Sequence, residues 1–323
     1  MRALVCSSLD GLDGVAVGQL PAPRLAAGAA RIRVRAAAVN FPDLLMVQGR
    51  YQERPAPPFA PGVEVAGEVL EVADDVEEVA VGDRVFASVP HGGYAEQVVV
   101  DTGQVFVVPD GMPLPIAATL PVAYGTAYHA LVDRGGVDNC DTALILGAAG
   151  GVGLAATQIA ATLGARVIAA VSSPDKADAV RAAGADEVIR YDEQDLRSRL
   201  RELAPDGVDV VFDPVGGDAT EVALRSTAWG GRLLIIGFAS GDIPAIPANL
   251  PLLKGCAVVG VFWGRFASID PARNRSNLDT LAAWWRDGRI DPLVSQTFDL
   301  DHAADALRLI GDRGAIGKLV VTP

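Results

Sequence analysis

The chain is 323 residues long, half of them hydrophobic and 21% charged, which is globular material about two ordinary domains in extent. Against 27 basic residues stand 40 acidic ones, a net charge of -13 that argues against a nucleic-acid partner and against binding to an anionic membrane surface, since both call for basic patches. No basic-then-apolar leader opens the sequence, no apolar stretch approaches the ~20 residues of a membrane span, and Cys6, Cys140 and Cys256 are few and scattered, so reduced thiols and a cytoplasmic location are expected.

From residue 1 to about 120 the pattern is that of a β-rich domain. Strand signals at Ile32–Arg35, 63–72, 83–89 and 96–100 are separated by Gly and Pro turns such as Ala60-Pro61-Gly62 and Val81-Gly82-Asp83, with one helix-like piece at 41–48. From about 121 the rhythm changes. Short apolar strands are expected at 143–146, 166–171, 187–189, 209–212, 232–236 and 257–261, with helices between them that include 175–183, 195–203 and 219–227. Strands alternating with helices in this way describe a doubly wound parallel sheet. Beyond about 264 come a helix at 277–286, an extended piece at 293–298, a helix at 302–310 and a strand at 317–321. These do not continue the alternation, so the tail is expected to return to the β-rich domain.

The stretch from Thr142 to Gly164 reads TALILGAAGGVGLAATQIAATLG, an apolar strand, a glycine-rich turn and a segment with Val152, Ala156, Ile159 and Leu163 on one helical face. Strand, glycine turn and helix open a dinucleotide-binding unit, whose helix N-terminus offers N–H groups and a positive dipole end to a pyrophosphate. The fingerprint is Ala148-x-Gly150-x-x-Gly153, with alanine at the usual first glycine, and Ala149, Gly150, Gly151, Val152 and Gly153 are the expected pyrophosphate contacts.

An NAD site carries an acidic residue ~20 positions after the turn, bonded to the ribose 2′-hydroxyl. Here the second strand ends Val171-Ser172-Ser173-Pro174-Asp175-Lys176. Ser172 can donate to a 2′-phosphate and Lys176 can neutralise it, so NADPH is expected over NADH. The plain alternative makes Lys176 a solvated residue of a helix N-terminus.

With these elements in place, the whole chain resembles the medium-chain dehydrogenase/reductase superfamily, and within it the zinc-free quinone oxidoreductase branch. The likeness is carried by Asn40-Phe41-Pro42-Asp43, Gln48-Gly49-Arg50-Tyr51, Pro61-Gly62-Val63-Glu64-Val65-Ala66-Gly67, Val81-Gly82-Asp83-Arg84-Val85, Gly125-Thr126-Ala127-Tyr128, the AAGGVG turn, Asp213-Pro214-Val215-Gly216-Gly217, Ile236-Gly237-Phe238 and Gly317-Lys318. It implies an α/β chain: a β-rich, GroES-like, partly open barrel domain over 1–121 and 264–323, and a Rossmann-type NADPH-binding domain over 122–263. Zinc-dependent members use Cys at the position of Asn40 and His at that of Val63, and carry a four-cysteine lobe for which three cysteines do not suffice. Neither residue present is a zinc ligand, and His91, His129 and His302 share no ligand spacing, so no metal is expected.

The same resemblance implies site residues. Asn40 donates to a quinone or orders water, Thr126 lies near the nicotinamide, and Tyr51 donates at the pocket mouth. Backbone around Gly237, Phe238 and Phe262 holds the carboxamide, while Lys176, Tyr191, Arg313 and Lys318 join the cofactor site, the first three around the 2′-phosphate. Structural alternatives exist: Asn40 as a helix cap and Tyr51 as a packed aromatic. An alternative activity, enoyl-thioester reduction, would use Tyr51 to stabilise and protonate an enolate, with Arg50, Arg54 and Arg265 as a basic rim. A third reading is a non-catalytic NADPH-binding protein. A homodimer is expected through the apolar edge at 258–261.

Overall fold

The computed structural model describes residues 1–323, which fall into two units, Met1–Val122 with Pro292–Pro323, and Ala123–Asp291. The first unit opens with an antiparallel ribbon, β1 (Arg2–Cys6) and β2 (Val15–Gln19). Then come β3 (Ala29–Ala38), α1 (Phe41–Val47), β4 (Glu64–Val72), β5 (Arg84–Ser88), β6 (Gln97–Asp101), β7 (Val105–Val107) and α2 (Leu114–Ala117). Along β3 the alternation expected of a half-buried strand sends Ile32 and Val34 into the core and Arg31, Arg33 and Arg35 outward. Register places Arg31 opposite Glu71 and Arg33 opposite Glu68 on β4, and ion pairs of 2.9 and 3.6 Å form there. These exposed pairs each contribute about 0–1 kcal/mol, so register is set by the buried face.

The second unit begins with α3 (Gly125–Tyr128), flanked by the π-helical turns Leu120–Tyr124 and His129–Arg134. It continues β8 (Thr142–Ile145), α4 (Gly151–Thr162), β9 (Arg166–Val171), α5 (Pro174–Ala182), β10 (Glu187–Arg190), α6 (Leu196–Leu203), β11 (Val208–Asp213), α7 (Asp218–Arg225), β12 (Thr227–Ile235), α8 (Asn249–Lys254), β13 (Ala257–Gly260), α9 (Trp263–Ile269) and α10 (Pro271–Arg286). Strands such as β9, buried from Val167 to Val171, are apolar throughout because helices cover a parallel sheet on both faces. The sheet is parallel with strand order β10-β9-β8-β11-β12-β13. In chain order that is 3-2-1-4-5-6, the doubly wound dinucleotide-binding arrangement, whose direction reverses between β8 and β11. No helix is long and apolar enough to cross a membrane.

The chain returns to the first unit at Pro292, and β14 (Val294–Asp299), α11 (Ala303–Gly311) and β15 (Lys318–Thr322) complete it. β15 pairs antiparallel with β3, giving an open sheet ordered β14-β15-β3-β4-β5-β7 with β6 also on β3. The return was expected at 264, and α9 and α10 instead stay with the second unit for a physical reason. Trp263 donates its indole N–H to Asn274, Phe266 stacks on the His129 ring at 3.8 Å, and Asp133 accepts from Arg273 and Asn277. These contacts knit α9 and α10 to the turn after α3. His129 is thereby a packed, hydrogen-bonded residue with its Nδ1 2.9 Å from Asp133.

Candidate active site

The turn between β8 and α4 sits where the strand order of the sheet reverses, the position at which doubly wound folds bind ligands. The left-handed conformation that the turn requires falls on Gly147, with φ of 57°, so the neighbouring Ala148 is tolerated where the fingerprint usually has glycine. Gly153 is needed for a different reason. A Cβ there would stand 2.3 Å from the Gly147 carbonyl oxygen and 2.8 Å from Ala148 backbone atoms. Gly150 is different again: its φ is -72°, and a Cβ would meet only the Gly147 oxygen, at 3.5 Å. The chain does not need glycine at 150; a bare backbone there leaves room for a group lying against the start of α4. That helix has no side-chain cap, so its first N–H groups, from Gly151 onward, point at the same space. The cradle fits a pyrophosphate.

At the ends of β9 and β10, Ser172 and Lys176 meet directly, Lys176 Nζ lying 3.2 Å from Ser172 Oγ, while Ser173 caps α5. Tyr191 follows β10, its N–H donating to the Val171 carbonyl, and about half of it is exposed. A small hydroxyl, an ammonium and an exposed phenol therefore share one corner, with no carboxylate at position 172. At the end of β11 the buried carboxylate of Asp213 accepts from the Val215 and Gly216 N–H groups and from the Thr220 hydroxyl, fixing the Pro214–Gly217 turn. Gly237 and Phe238 follow β12 beside this turn, Ala239 N–H donating to the Pro214 carbonyl. Thr126 lies on α3, which presses so closely on α9 that a Cβ on Gly125 would stand 2.9 Å from the Trp263 indole nitrogen; Phe262, the residue before Trp263, is half exposed.

In the first unit a buried polar cluster forms around Asn40. Glu64 is fully buried at the start of β4, Lys318 is 4% exposed at the start of β15, and Asn40 is 8% exposed before α1. Lys318 Nζ donates to Glu64 Oε1 at 2.8 Å, to Asn40 Oδ1 at 2.6 Å and to the Val39 carbonyl at 2.8 Å. Asn40 Nδ2 donates to Glu64 Oε1 at 2.9 Å and to the Ala38 carbonyl at 3.2 Å, and Glu64 Oε2 takes the Val122 N–H. A buried ion pair is tolerable only when its remaining hydrogen-bonding capacity is satisfied, and here it is.

Asp43, one turn into α1, is completely buried beside this cluster. Its Oδ2 accepts from the Tyr94 hydroxyl at 2.7 Å and from the Asn40 N–H at 2.8 Å, while Oδ1 has no partner. Burial pushes the Asp43 carboxyl up to about 7, outweighing the hydrogen bonds from Tyr94 and Asn40 and the pull of Lys318, which lower it. The Tyr94 phenol is driven well above its ordinary value, by burial first and by Asp43 second.

Two expectations change here. All three donors of Lys318 are used inside the first unit, so its ammonium has none left for a cofactor, and the residue moves from the cofactor set to the Asn40 cluster. Asn40 stands at the N-cap of α1, and both hydrogens of its amide are committed, so Oδ1 is the one side-chain atom through which it can meet a ligand, as an acceptor; it cannot donate to a quinone. Tyr51 packs against the first-unit core after α1, and its phenol is raised by burial, then by Glu53 and Asp43, so it stays protonated at neutral pH. Arg313 sits in the first unit on the turn after α11, with φ of 57°. Asp43, which the sequence places with Asn40, Tyr51 and Thr126 in a polar pocket set, is a buried partner of Tyr94 and Asn40. Glu64 and Asp213 have no role readable from sequence, although a carboxylate inside an apolar run, as in Val63-Glu64-Val65, is the signal that marks a buried partner.

The zinc question is answered by the donor set. An amide at 40, Val63 where an imidazole would stand, and a lysine ammonium bonded to Glu64 and Asn40 do not fit a zinc ion.

Two family models match, an alcohol dehydrogenase GroES-like domain over residues 26–110 and a zinc-binding dehydrogenase domain over 151–280. The chain is 36% identical to a quinone oxidoreductase-like protein 2 homolog of Nematostella vectensis, over 99% of this chain and 88% of that one. It is 30% identical to the synaptic vesicle membrane protein VAT-1 homolog of Homo sapiens, over 100% of this chain and 86% of that one. Among solved structures, the quinone oxidoreductase of Escherichia coli complexed with NADPH superposes with a TM-score of 0.94 at 26% identity, covering 100% of both chains.

Proposed function

The chain belongs to the medium-chain dehydrogenase/reductase superfamily, in its quinone oxidoreductase branch, and from that premise we propose that it transfers hydride from NADPH to a quinone or a related activated carbonyl or enone. The observation that carries this reading is the cluster of Asn40, Glu64 and Lys318. With an ammonium bonded to Glu64 and Asn40, this cluster does not fit a metal ion that would polarise an unactivated carbonyl. A quinone needs no such help, because it is already electrophilic and requires mainly to be held near the nicotinamide. Hydride and one proton convert it to the hydroquinone. NADPH supplies the hydride when bound; this chain's residues hold it and manage the proton.

In this reading Ala149–Gly153 take the pyrophosphate, Ser172, Lys176 and Tyr191 take the 2′-phosphate, and backbone around Gly237, Phe238 and Phe262 holds the carboxamide near Thr126. Tyr51 supplies the hydrogen bond to the acceptor oxygen, because its raised phenol is protonated at neutral pH and Asn40 has no hydrogen to give. Asn40 orders a water or hydroxyl through Oδ1.

NADPH offered with a simple ortho- or para-quinone, and separately with crotonyl-CoA, tests the acceptor. Quinone turnover is expected; turnover of the thioester alone would replace the reading with enoyl-thioester reduction, and NADPH binding without turnover of any quinone, enone or thioester would leave a binding role. Tyr51→Phe should lower quinone turnover less than tenfold, since one hydrogen bond is lost, whereas enolate protonation would depend on the phenol by 10²–10⁴-fold. Lys176→Ala should raise the KM for NADPH by roughly tenfold, the equivalent of about 1.4 kcal/mol, and leave that for NADH unchanged. Equal KM changes for the two cofactors would remove the 2′-phosphate from this corner.

A homodimer is part of the proposal. β13 is an edge strand with Val258 37% exposed, and Trp229, Leu252 and Leu253 on the same unit are 82%, 78% and 71% exposed. An edge of this kind is usually paired or covered. The expected solution mass is twice 33.4 kDa; a monomer by light scattering would contradict it.

A further inference from the structure

An amide side chain can be turned end for end without changing its shape, so the chemistry it presents is decided by its neighbours. Around Asn40 every neighbour has a fixed sense. Lys318 Nζ can only donate, and it lies 2.6 Å from Oδ1; ionised Glu64 and the Ala38 carbonyl can only accept, and they lie 2.9 and 3.2 Å from Nδ2. Turning the amide over would set its NH₂ against an ammonium and its oxygen against a carboxylate, in a site where Glu64 is fully buried and Lys318 nearly so. The neighbours are themselves held, Lys318 by the Val39 carbonyl and Glu64 by the Val122 N–H.

We propose that Lys318, with Glu64, is a positioning residue that keys the Asn40 amide so that it offers the reaction an acceptor and never a donor. The inference rests on the catalytic role given to Asn40 above. It also narrows what Asn40 addresses: a group bearing O–H, either a water or the hydroxyl of the reduced product, and not the carbonyl of the oxidised substrate.

The pair is tested by Glu64→Leu with Lys318→Met, which removes both charges together and avoids leaving one buried ion unpaired. If that variant does not fold, Glu64→Gln with Lys318→Met keeps an acceptor for the Val122 N–H. Two measurements are made on the folded variant. The side-chain amide protons of Asn40, followed by NMR with labelled asparagine, should leave the downfield position of an amide bonded to a carboxylate. With whichever acceptor the wild type reduces, kcat should fall roughly 10- to 100-fold, with the Kd for NADPH within about twofold of the wild type. In an Asn40→Ala background the same pair of changes should alter kcat less than about twofold, as required if they act through Asn40. An unmoved amide signal, or a kcat loss of equal size in both backgrounds, overturns the positioning role. A displaced amide with unchanged kcat overturns instead the catalytic role of Asn40 on which it stands.

Discussion

Gly150→Ala is expected to give a stable protein that no longer holds NADPH well, whereas Gly153→Ala, three residues along the same turn, is expected to destabilise the fold itself. At 150 the backbone is in an ordinary conformation and an added Cβ meets only one atom, at 3.5 Å. Restricting the unfolded chain and weakening a helix N-cap oppose each other there, each by less than about 1 kcal/mol, so stability should change little. The methyl would occupy the space against the start of α4 that a pyrophosphate needs, and a loss of roughly 100-fold in NADPH affinity, about 2.7 kcal/mol, is the expected size. At 153 the methyl would be driven to 2.3 Å from the Gly147 oxygen and 2.8 Å from Ala148 backbone atoms, with no flexible side chain among these neighbours to yield. Overpacking of that kind costs about 1–3 kcal/mol and more where backbone must move. Thermal unfolding and a fluorescence titration with NADPH on both variants check the contrast. Equal destabilisation by the two substitutions would show that Gly150 serves the fold, and an unimpaired NADPH titration of Gly150→Ala would move the cofactor off this turn.

The strand-and-turn skeleton was legible because its signals are local. The apolar runs of the parallel sheet announce burial on both faces, and TALILGAAGGVG carries strand, turn and helix within a dozen residues. What escaped sequence reading depends on contacts between distant residues. Lys318 follows a glycine and precedes Leu319-Val320-Val321, and by itself it reads as a surface cation near a cofactor. Only the pairing of β15 with β3 brings it to Val39, Asn40 and Glu64, more than 250 positions away in the case of Glu64. The late return of the chain at Pro292 has the same cause. Phe266, Arg273 and Asn277 give no local sign of which unit they serve, and their partners His129 and Asp133 lie more than a hundred residues upstream. Asn40 illustrates a finer limit. Its position before Phe41-Pro42-Asp43 suggests a cap and its place in the motif suggests catalysis, and nothing in the one-dimensional pattern says that its two hydrogens are already spent.

Asp43 supplies the second large effect, in the pH dependence of stability. Its place in the first turn of α1, with bonds from Tyr94 and the Asn40 N–H, favours the ionised form, as does Lys318. Complete burial opposes all three and prevails, raising the carboxyl from 3.8 to about 7, and Oδ1 lacks a partner that would reward a charge. Because the folded carboxyl binds its proton more tightly than the unfolded one, the stability it contributes is fully present below pH 3.8 and is lost as pH rises through about 7. At 1.36 kcal/mol per pH unit the whole loss is about 4 kcal/mol, of which roughly 2.7 kcal/mol falls between pH 5 and pH 8. Asp43→Asn cannot titrate, and its carbonyl oxygen can still accept from Tyr94 and Asn40. The variant should therefore be less stable than the wild type at pH 5 or close to it, and should gain on the wild type by roughly 2–3 kcal/mol on going to pH 8, the titration of all other groups cancelling in the comparison. Urea unfolding of both proteins at the two pH values measures this directly. Parallel curves would mean that Asp43 stays ionised in the folded chain throughout this pH range.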